Sequence, residues 1–182
     1  TSDPYSRGRA NSAAAQYARY CPGAVPGNTT DVSIQSFTHP SWGAATFVVC
    51  RPHVTARDPW IGYPNGTAAH VVVVDAKGHV RWNAPDLDGL SSYAWELAVP
   101  ATDSSGNLFV HYDPGRYDGI LVYRPVANGM QLLKDFYYAE LASPGADGRY
   151  YRIRQYTNDC KPDCARGTTT SRLYTWNGTT YV

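Results

Sequence analysis

The residues best placed for chemistry are one histidine and two aspartates in a short stretch. His111 and Asp113 alternate along a run of β-prone residues, and Asp118 follows after a turn. Residues two apart on a strand project to the same face, so His111 and Asp113 could share a proton or a metal ion. With Asp118 they would supply the general acid and base of a hydrolase. The same pattern fits a turn, in which Asp113 accepts backbone N–H groups around Pro114-Gly115.

The two glutamates of the chain offer a second kind of hydrolytic chemistry. Glu96 and Glu140 could flank a glycosidic bond, as paired carboxylates do in glycosidases. Each lies between apolar residues in an alternating pattern, which favours the solvated face of a strand instead. The sequence contains no G-x-S-x-G elbow, no thiol nucleophile with the usual flanks and no Gly-rich phosphate loop. Acyl transfer and nucleotide chemistry are therefore disfavoured.

Aromatic residues indicate binding more clearly than catalysis. The chain has 15 Tyr and 5 Trp against only 4 Phe. Tyr and Trp join an apolar ring to a polar tip, which suits both sheet faces and binding surfaces. Arg116 could recognise a carboxylate or phosphate with its planar guanidinium, or pair with Asp113 or Asp118. We predict a ligand-binding surface made of Tyr112, Arg116, Tyr117, Trp60, Tyr63 and Trp42.

The charge balance excludes some partners. Sixteen Lys plus Arg and fifteen Asp plus Glu leave a formal net charge of +1. No global field steers such a chain toward nucleic acid, so no nucleic-acid partner is expected, and no motif calls for a cofactor. The chain has no apolar run of about 18 residues that would span a membrane. It begins Thr1-Ser2-Asp3-Pro4, and we expect a secretion signal to have preceded this start.

The four cysteines predict the compartment. An even number of cysteines is typical of disulfides in an exported protein. Cys160 and Cys164 are separated by turn residues that favour a local loop, which leaves Cys21 to pair with Cys50. A zinc site built from all four is the competing interpretation, but structural zinc usually takes cysteines in close pairs. We predict two disulfides, no metal, and a secreted or cell-envelope location.

The elements that position these residues are predicted to be mostly β-strands. Residues 1–10 are polar and are expected to form a mobile N-terminal arm, and residues 11–182 a single disulfide-bonded β domain. The alanine-rich run from Ala13 to Tyr20, which follows capping residues, predicts a short N-terminal helix. The rest of the chain alternates β-branched and aromatic runs with turn residues, which indicates an all-β fold.

Three turns suggest a repeated unit. Gly78, Gly129 and Gly178 each follow a strand pattern, at spacings of 51 and 49 residues. A period near 50 residues predicts three antiparallel meanders that close as a propeller, a trefoil or a sandwich. Asn128-Gly129 is the strongest hairpin signal among them, with positive φ expected at both residues. We therefore predict that Gly129 is the turn glycine least tolerant of substitution.

Parts of the chain resemble known β proteins. Residues 103–110 and 146–153 resemble the blade repeats known as VCBS or FG-GAP repeats. A D-x-D-G-D-G loop in those families commonly holds calcium, but here serines and an alanine replace the extra carboxylates. Residues 113–125 and 158–182 resemble a group of exported actinobacterial proteins. That resemblance implies secretion and an all-β body, and it implies no particular activity.

Together these patterns favour a secreted, non-catalytic binding protein. We expect it to recognise a cell-envelope glycan or an extracellular protein through aromatic loops, above all the loop from Tyr112 to Gly119. One alternative is a small secreted hydrolase that uses His111 and Asp113. Another is a protease inhibitor that presents either the Pro-rich loop from Arg51 to Thr67 or the Cys160–Cys164 loop as a rigid bait.

Overall fold

The computed structural model describes residues 14–21, 32–50, 70–84, 94–97, 103–113, 117–142, 144 and 148–182. Within these ranges the chain is mostly antiparallel β-structure, which confirms the all-β class. The strands are β1 (Val32–His39), β2 (Gly43–Cys50), β3 (His70–Asp75), β4 (Val80–Asn83), β5 (Ala94–Leu97), β6 (Leu108–Asp113), β7 (Gly119–Val126), β8 (Gly129–Tyr137), β9 (Ala139–Ala142), β10 (Arg152–Asn158) and β11 (Thr169–Tyr174). The predicted arm, residues 1–10, lies outside the described residues.

The predicted N-terminal helix is only a 3-10 turn, Ala18–Tyr20. The Cys21 N–H donates to the carbonyl oxygen of Ala18 at 3.0 Å and closes this turn. A helix of so few residues is marginal in water, and the small side chains of Ala14 and Ala18 provide little apolar area to extend it. Accordingly, the part of the chain that the structure describes contains no helix long and apolar enough to cross a membrane.

The strands form three antiparallel sheets. Sheet 1 has the order β1-β2-β3-β4, sheet 2 the order β5-β6-β7-β8 and sheet 3 the order β11-β10-β9. Within each sheet, every strand pairs with its neighbours in sequence, so the sheets are meanders, as the turn signals indicated. Gly78 lies between the last two strands of sheet 1, and Gly129 is the first residue of the last strand of sheet 2. A threefold repeat and the way in which it closes remain predictions.

The turn before Gly129 differs from the expected one. Neither Asn128 nor Gly129 has a positive φ, so the type I′ prediction is wrong. A Cβ at Gly129 would lie 3.6 Å from the nearest ring atom of Trp82, which is an ordinary contact. Gly78 is more demanding, because it has φ +85° and a Cβ there would lie 3.1 Å from Tyr20 Oη. Gly129 is therefore not the least tolerant turn glycine.

Sheet 2 is the middle layer of the molecule. One of its faces packs against sheet 1 through Phe47, Val71, Val73, Val110, Leu121 and Tyr123. Its other face packs against sheet 3 and the C-terminal residue Tyr181, and this cluster contains Phe109, Ile120, Val122, Phe136, Ile153 and Tyr181. The outer face of sheet 1 is covered near the 3-10 turn, where Val48, Val72 and Val74 meet Ala14, Ala18 and Cys21. Because β3 is buried on both faces, its sequence is a continuous apolar run instead of an alternating one.

Both predicted disulfides are present. Cys21 bonds to Cys50 and ties the 3-10 turn to the end of β2. Cys160 bonds to Cys164 and closes a loop between β10 and β11. Two disulfides are compatible with an extracellular location, where thiols oxidise readily.

The carboxylate of Asp75 organises the turn between β3 and β4. The backbone N–H groups of Lys77 and His79 both donate to Asp75 Oδ1 at 2.9 Å, and Arg81 Nε donates to Oδ2 at 2.7 Å. These bonds, above all the one from the His79 N–H, lower the pKa of Asp75 from 3.8 to about 2. The carboxylate therefore stays ionised well below the pH at which an ordinary aspartate is protonated.

We expect Asp75 to make stability depend on pH. A depressed native-state pKa stabilises the fold above the unfolded-state pKa of about 3.9, and this contribution is lost as the pH falls toward 2. The wild type should therefore exceed Asp75→Asn in free energy of unfolding at pH 5, and the gap should narrow between pH 4 and pH 2. Urea unfolding of both proteins across this range measures the gap. A gap that does not change with pH would contradict this role of the carboxylate.

Candidate functional site

Four tyrosines come together where the chain passes from sheet 2 to sheet 3. We call Tyr117, Tyr137, Tyr138 and Tyr156 the tyrosine cluster. The rings of Tyr117 and Tyr138 are stacked, with centroids 3.9 Å apart and an interplanar angle of 26°. Tyr137 approaches Tyr117 edge-on at 6.1 Å, and Tyr156 lies 5.4 Å from Tyr138. Tyr137 is among the exposed large hydrophobic side chains in the described part of the chain.

The backbone at Tyr138 builds this cluster. Tyr138 alone joins β8 to β9, and it has a φ of +54°. Its carbonyl oxygen accepts the N–H of Tyr156, and the next residue, Ala139, donates its N–H to the carbonyl oxygen of Asp118. A left-handed φ is costly for a bulky side chain and persists only where the surrounding structure imposes it. Such strain is concentrated at functional sites, which makes this corner the leading candidate.

A cleft of about 250 Å³ opens beside the cluster. Its lining consists of Tyr117, Asp118, Tyr138, Ala139, Glu140 and Tyr156. Tyr156 Oη donates a 2.6 Å hydrogen bond to Glu140 Oε1. This bond and the negative charge of Glu140 raise the pKa of Tyr156, because both oppose loss of the phenol proton. The cleft is thus lined by three tyrosine side chains and two carboxylates.

Of the predicted catalytic residues, Asp118 lines this cleft and His111 contacts Asp118. His111 Nε2 lies 3.1 Å from Asp118 Oδ2, so the structure brings these two residues together. Asp113 lies two residues from His111 on the same strand, β6. The side chain of His111 is 27% exposed and that of Asp118 is 56% exposed. The carboxylate of Asp118 is therefore well hydrated, which suits a hydrogen-bond acceptor for a polar ligand.

The two glutamates do not share a sheet. Glu96 is in β5 and pairs with His111 in sheet 2, whereas Glu140 is in β9 of sheet 3. Glu140 lines the cleft together with Asp118, so the two acids gathered there are not the pair of glutamates that the sequence suggested.

Tyr112 is part of the core and not of a binding surface. Its side chain is 1% exposed and packs between sheets 1 and 2. Its hydroxyl donates to Asp135 Oδ1 at 2.6 Å. The expectation that Tyr112 offers its ring to a ligand is corrected on this ground, because β6 turns Tyr112 toward sheet 1.

Trp42 is also held by the fold. Its ring stacks on the buried ring of His39, with centroids 3.7 Å apart and an interplanar angle of 9°. His39 Nδ1 accepts the N–H groups of Ser41 and Trp42, so its Nε2 carries the proton that is donated to the carbonyl oxygen of Gly129 at 2.9 Å. Trp42 is half-buried in the turn between β1 and β2 and does not line the cleft beside the tyrosine cluster.

The other predicted binding residues, Arg116, Trp60 and Tyr63, lie outside the described residues, as does the loop from Arg51 to Thr67.

Sequence reasoning missed Tyr137, Tyr138 and Tyr156. Two adjacent tyrosines on a regular strand point to opposite faces, so the pair Tyr137-Tyr138 gave no signal of a shared surface. The left-handed turn at Tyr138 removes that regularity.

The loop that resembles a calcium site is occupied by hydrogen bonds within the chain. Asp103 Oδ1 accepts the N–H of Ser105 at 2.9 Å, and Oδ2 accepts the N–H of Tyr151 at 3.1 Å. Across the described ranges, no three His, Cys, Asp or Glu side chains are grouped so that they could hold a metal ion.

Comparisons of the chain with protein-family models, curated proteins and solved structures found no match. The resemblance to VCBS and FG-GAP repeats therefore stays a prediction. Any functional conclusion depends on the geometry of the site.

Proposed function

We propose that the protein binds an extracellular glycan in the cleft beside the tyrosine cluster. The observation that carries this proposal is the stacked pair of Tyr117 and Tyr138, which lines the cleft together with Asp118 and Glu140. A sugar ring has an apolar C–H face and an edge of hydroxyl groups. Aromatic rings pack against the C–H face of the sugar, and carboxylate oxygens accept hydrogen bonds from its hydroxyl groups.

The size and rigidity of the cleft support this class of ligand. A volume of about 250 Å³ is below the usual range for an enclosed small-molecule pocket. It suits a single sugar unit of a longer chain that extends along the surface. The backbone hydrogen bonds at Tyr138 and Ala139 fix the main chain, and the stacking of Tyr117 on Tyr138 restricts the two rings, which lowers the entropy lost on binding.

Exposure of the acids favours binding over hydrolysis. The catalytic acid of a glycosidase is usually kept protonated at working pH by apolar surroundings. Here Asp118 is more than half exposed and Glu140 is exposed. The alternatives of a hydrolase at His111 and Asp113, of an extracellular protein partner and of a protease inhibitor become outcomes of the test. We also propose that the β-sheets which carry this site are the three repeated meanders predicted from sequence.

We expect Tyr117→Ala to weaken binding of neutral oligosaccharides about tenfold. An aromatic contact is worth roughly 0.5–1.5 kcal/mol beyond the area that it buries, and removal of Tyr117 also leaves Tyr138 without its stacking partner. Glu140→Gln should weaken binding less, because the amide retains one acceptor oxygen. Isothermal titration with chitin and β-glucan oligomers measures the affinity. Tyr150→Ala is the matched control, since Tyr150 is half-buried and does not line the cleft.

The same variants separate the proposal from its alternatives. Equal affinity in Tyr117→Ala and wild type, together with a lower melting temperature, would show that the cluster is only structural. Release of sugar products that is lost in His111→Ala would favour the hydrolase. Stoichiometric inhibition of a protease, without any oligosaccharide binding, would favour the inhibitor.

A further inference from the structure

Basic side chains lie on aromatic rings along the seam between sheets 2 and 3. Lys134 Nζ lies 4.7 Å from the ring centre of Phe136 and 4.6 Å from that of Tyr174. Arg172 Cζ lies 4.6 Å from the ring centre of the same Tyr174. Arg124 Cζ lies 5.4 Å from the ring centre of Trp176. We call Lys134, Arg172, Arg124, Tyr174 and Trp176 the cationic seam.

The strand alternation brings these groups to one side. Lys134 lies two residues before Phe136 on β8, and Phe136 packs against Tyr174 on β11 with ring centroids 5.0 Å apart. Arg172 lies two residues before Tyr174, so it shares the face of β11 that meets sheet 2. β8 and β11 are the outermost strands of their sheets in the described part of the chain. The seam is therefore accessible from solvent.

The charges of the seam are not compensated from within the described residues. The acids that form ion pairs among the described residues are Asp75, Asp118 and Asp163. Their partners do not include Lys134, Arg172 or Arg124. Asp135, which follows Lys134, accepts a hydrogen bond from Tyr112 on the opposite face of sheet 2.

Lys134 Nζ and Arg172 Cζ each lie 4.6 Å from the centre of the Tyr174 ring, so the two cations are neighbours at this ring. An anionic group bound beside the ring would be attracted by both charges. It would also gain charge-assisted hydrogen bonds, for which the planar guanidinium of Arg172 is well suited.

We infer that the cationic seam binds the acidic groups of an anionic glycan. Lys134 and Arg172 hold a carboxylate of the sugar chain. This inference rests on the proposed function and narrows its ligand to acidic glycans.

The experiment compares two polymers that have the same backbone and differ in charge. The affinities of wild type, K134Q/R172Q and the charge-conserving K134R/R172K are measured for polygalacturonate and for its methyl ester, at low and at raised salt. The matched control is K161Q/R166Q, which removes the same types of charge from the exposed loop that follows β10. Inorganic polyphosphate serves as an anion without sugar. Circular dichroism verifies the fold of each variant.

We expect wild type to bind polygalacturonate at least tenfold more tightly than the methyl ester, and salt to reduce this preference. K134Q/R172Q should lose the preference and still bind the methyl ester, whereas K134R/R172K and K161Q/R166Q should retain it. A wild type without preference, or an equal loss in K161Q/R166Q, would overturn the inference. Equally tight binding of polyphosphate would overturn the glycan class. The inference can fail in these ways while the Tyr117 variants still support binding of neutral oligosaccharides.

Discussion

Gly119→Ala is expected to lower the free energy of unfolding by about 3 kcal/mol, near the upper end for overpacked cores. Gly119 opens β7 and pairs with Tyr112 of β6. The ring of Tyr112 lies directly on the glycine, because a Cβ built there would lie 2.1 Å from Tyr112 Cζ. No side chain fits this space unless the ring moves.

Any movement of the Tyr112 ring would lower the stability of the fold. Its ring is buried in the core between sheets 1 and 2, and its hydroxyl is bonded to Asp135 at 2.6 Å. A shift large enough to admit a methyl group would break this hydrogen bond or displace neighbours in a closely packed interior. Gly119 does not have a positive φ, so an alanine there would not strain the backbone. The expected loss of stability therefore comes from the steric conflict with the Tyr112 ring.

Urea unfolding monitored by tyrosine fluorescence measures this effect. Gly129→Ala is the matched control, since it lies at a strand start in the same sheet and its Cβ would make only an ordinary contact with Trp82. We expect a change below about 1 kcal/mol there. In the double variant Gly119→Ala/Tyr112→Ala, the two losses should be less than additive, because removal of the ring removes the conflict. Additive losses would contradict the proposed packing.

The strand pattern and the Cys160–Cys164 disulfide could be predicted from sequence because their signals are local, and the Cys21–Cys50 disulfide then followed by elimination. The continuous run from His70 to Asp75 and the turn residues around Gly78 identify β3 and its hairpin without knowledge of the partners. The prediction of a short N-terminal helix was wrong for a physical reason. A run of alanines has high helix propensity, but its length and small side chains did not provide the packing that stabilises a helix.

The candidate site could be predicted only in part. Tyr112 and Tyr117 are both tyrosines in or beside one turn, yet the first is buried and the second lines the cleft. Residue type cannot separate them, because the face that each residue occupies depends on which sheet covers β6. Tyr138 and Tyr156 reach Tyr117 only through the packing of sheet 3 on sheet 2 and the left-handed backbone at Tyr138. None of these causes is visible in a local pattern.

Replacement of the Cys21–Cys50 disulfide by serines is expected to lower the free energy of unfolding by about 3–4 kcal/mol. The bond closes a loop with a sequence separation of 29 residues, and cross-links of this span restrict the unfolded chain by about that amount. Cys160→Ser/Cys164→Ser is the control, because its separation of only 4 residues predicts about 2 kcal/mol or less. Chemical unfolding of both double variants gives the comparison.

The Cys21–Cys50 disulfide should also prevent local detachment of the 3-10 turn, which the Cys160–Cys164 disulfide does not contact. It holds Ala14, Ala18 and Cys21 over the outer face of sheet 1, where Val48 and Val72 are buried. Without the bond, the turn is held by the apolar contacts of its small side chains and by two hydrogen bonds. Tyr17 Oη lies 3.0 Å from Thr46 Oγ1, and Tyr20 Oη donates to the Gly78 carbonyl oxygen at 2.8 Å. Since such hydrogen bonds contribute only about 1 kcal/mol each, the turn should detach and expose apolar surface before global unfolding. Binding of a hydrophobic dye to Cys21→Ser/Cys50→Ser under native conditions, and not to the other double variant, tests this order; equal dye binding by both would contradict it.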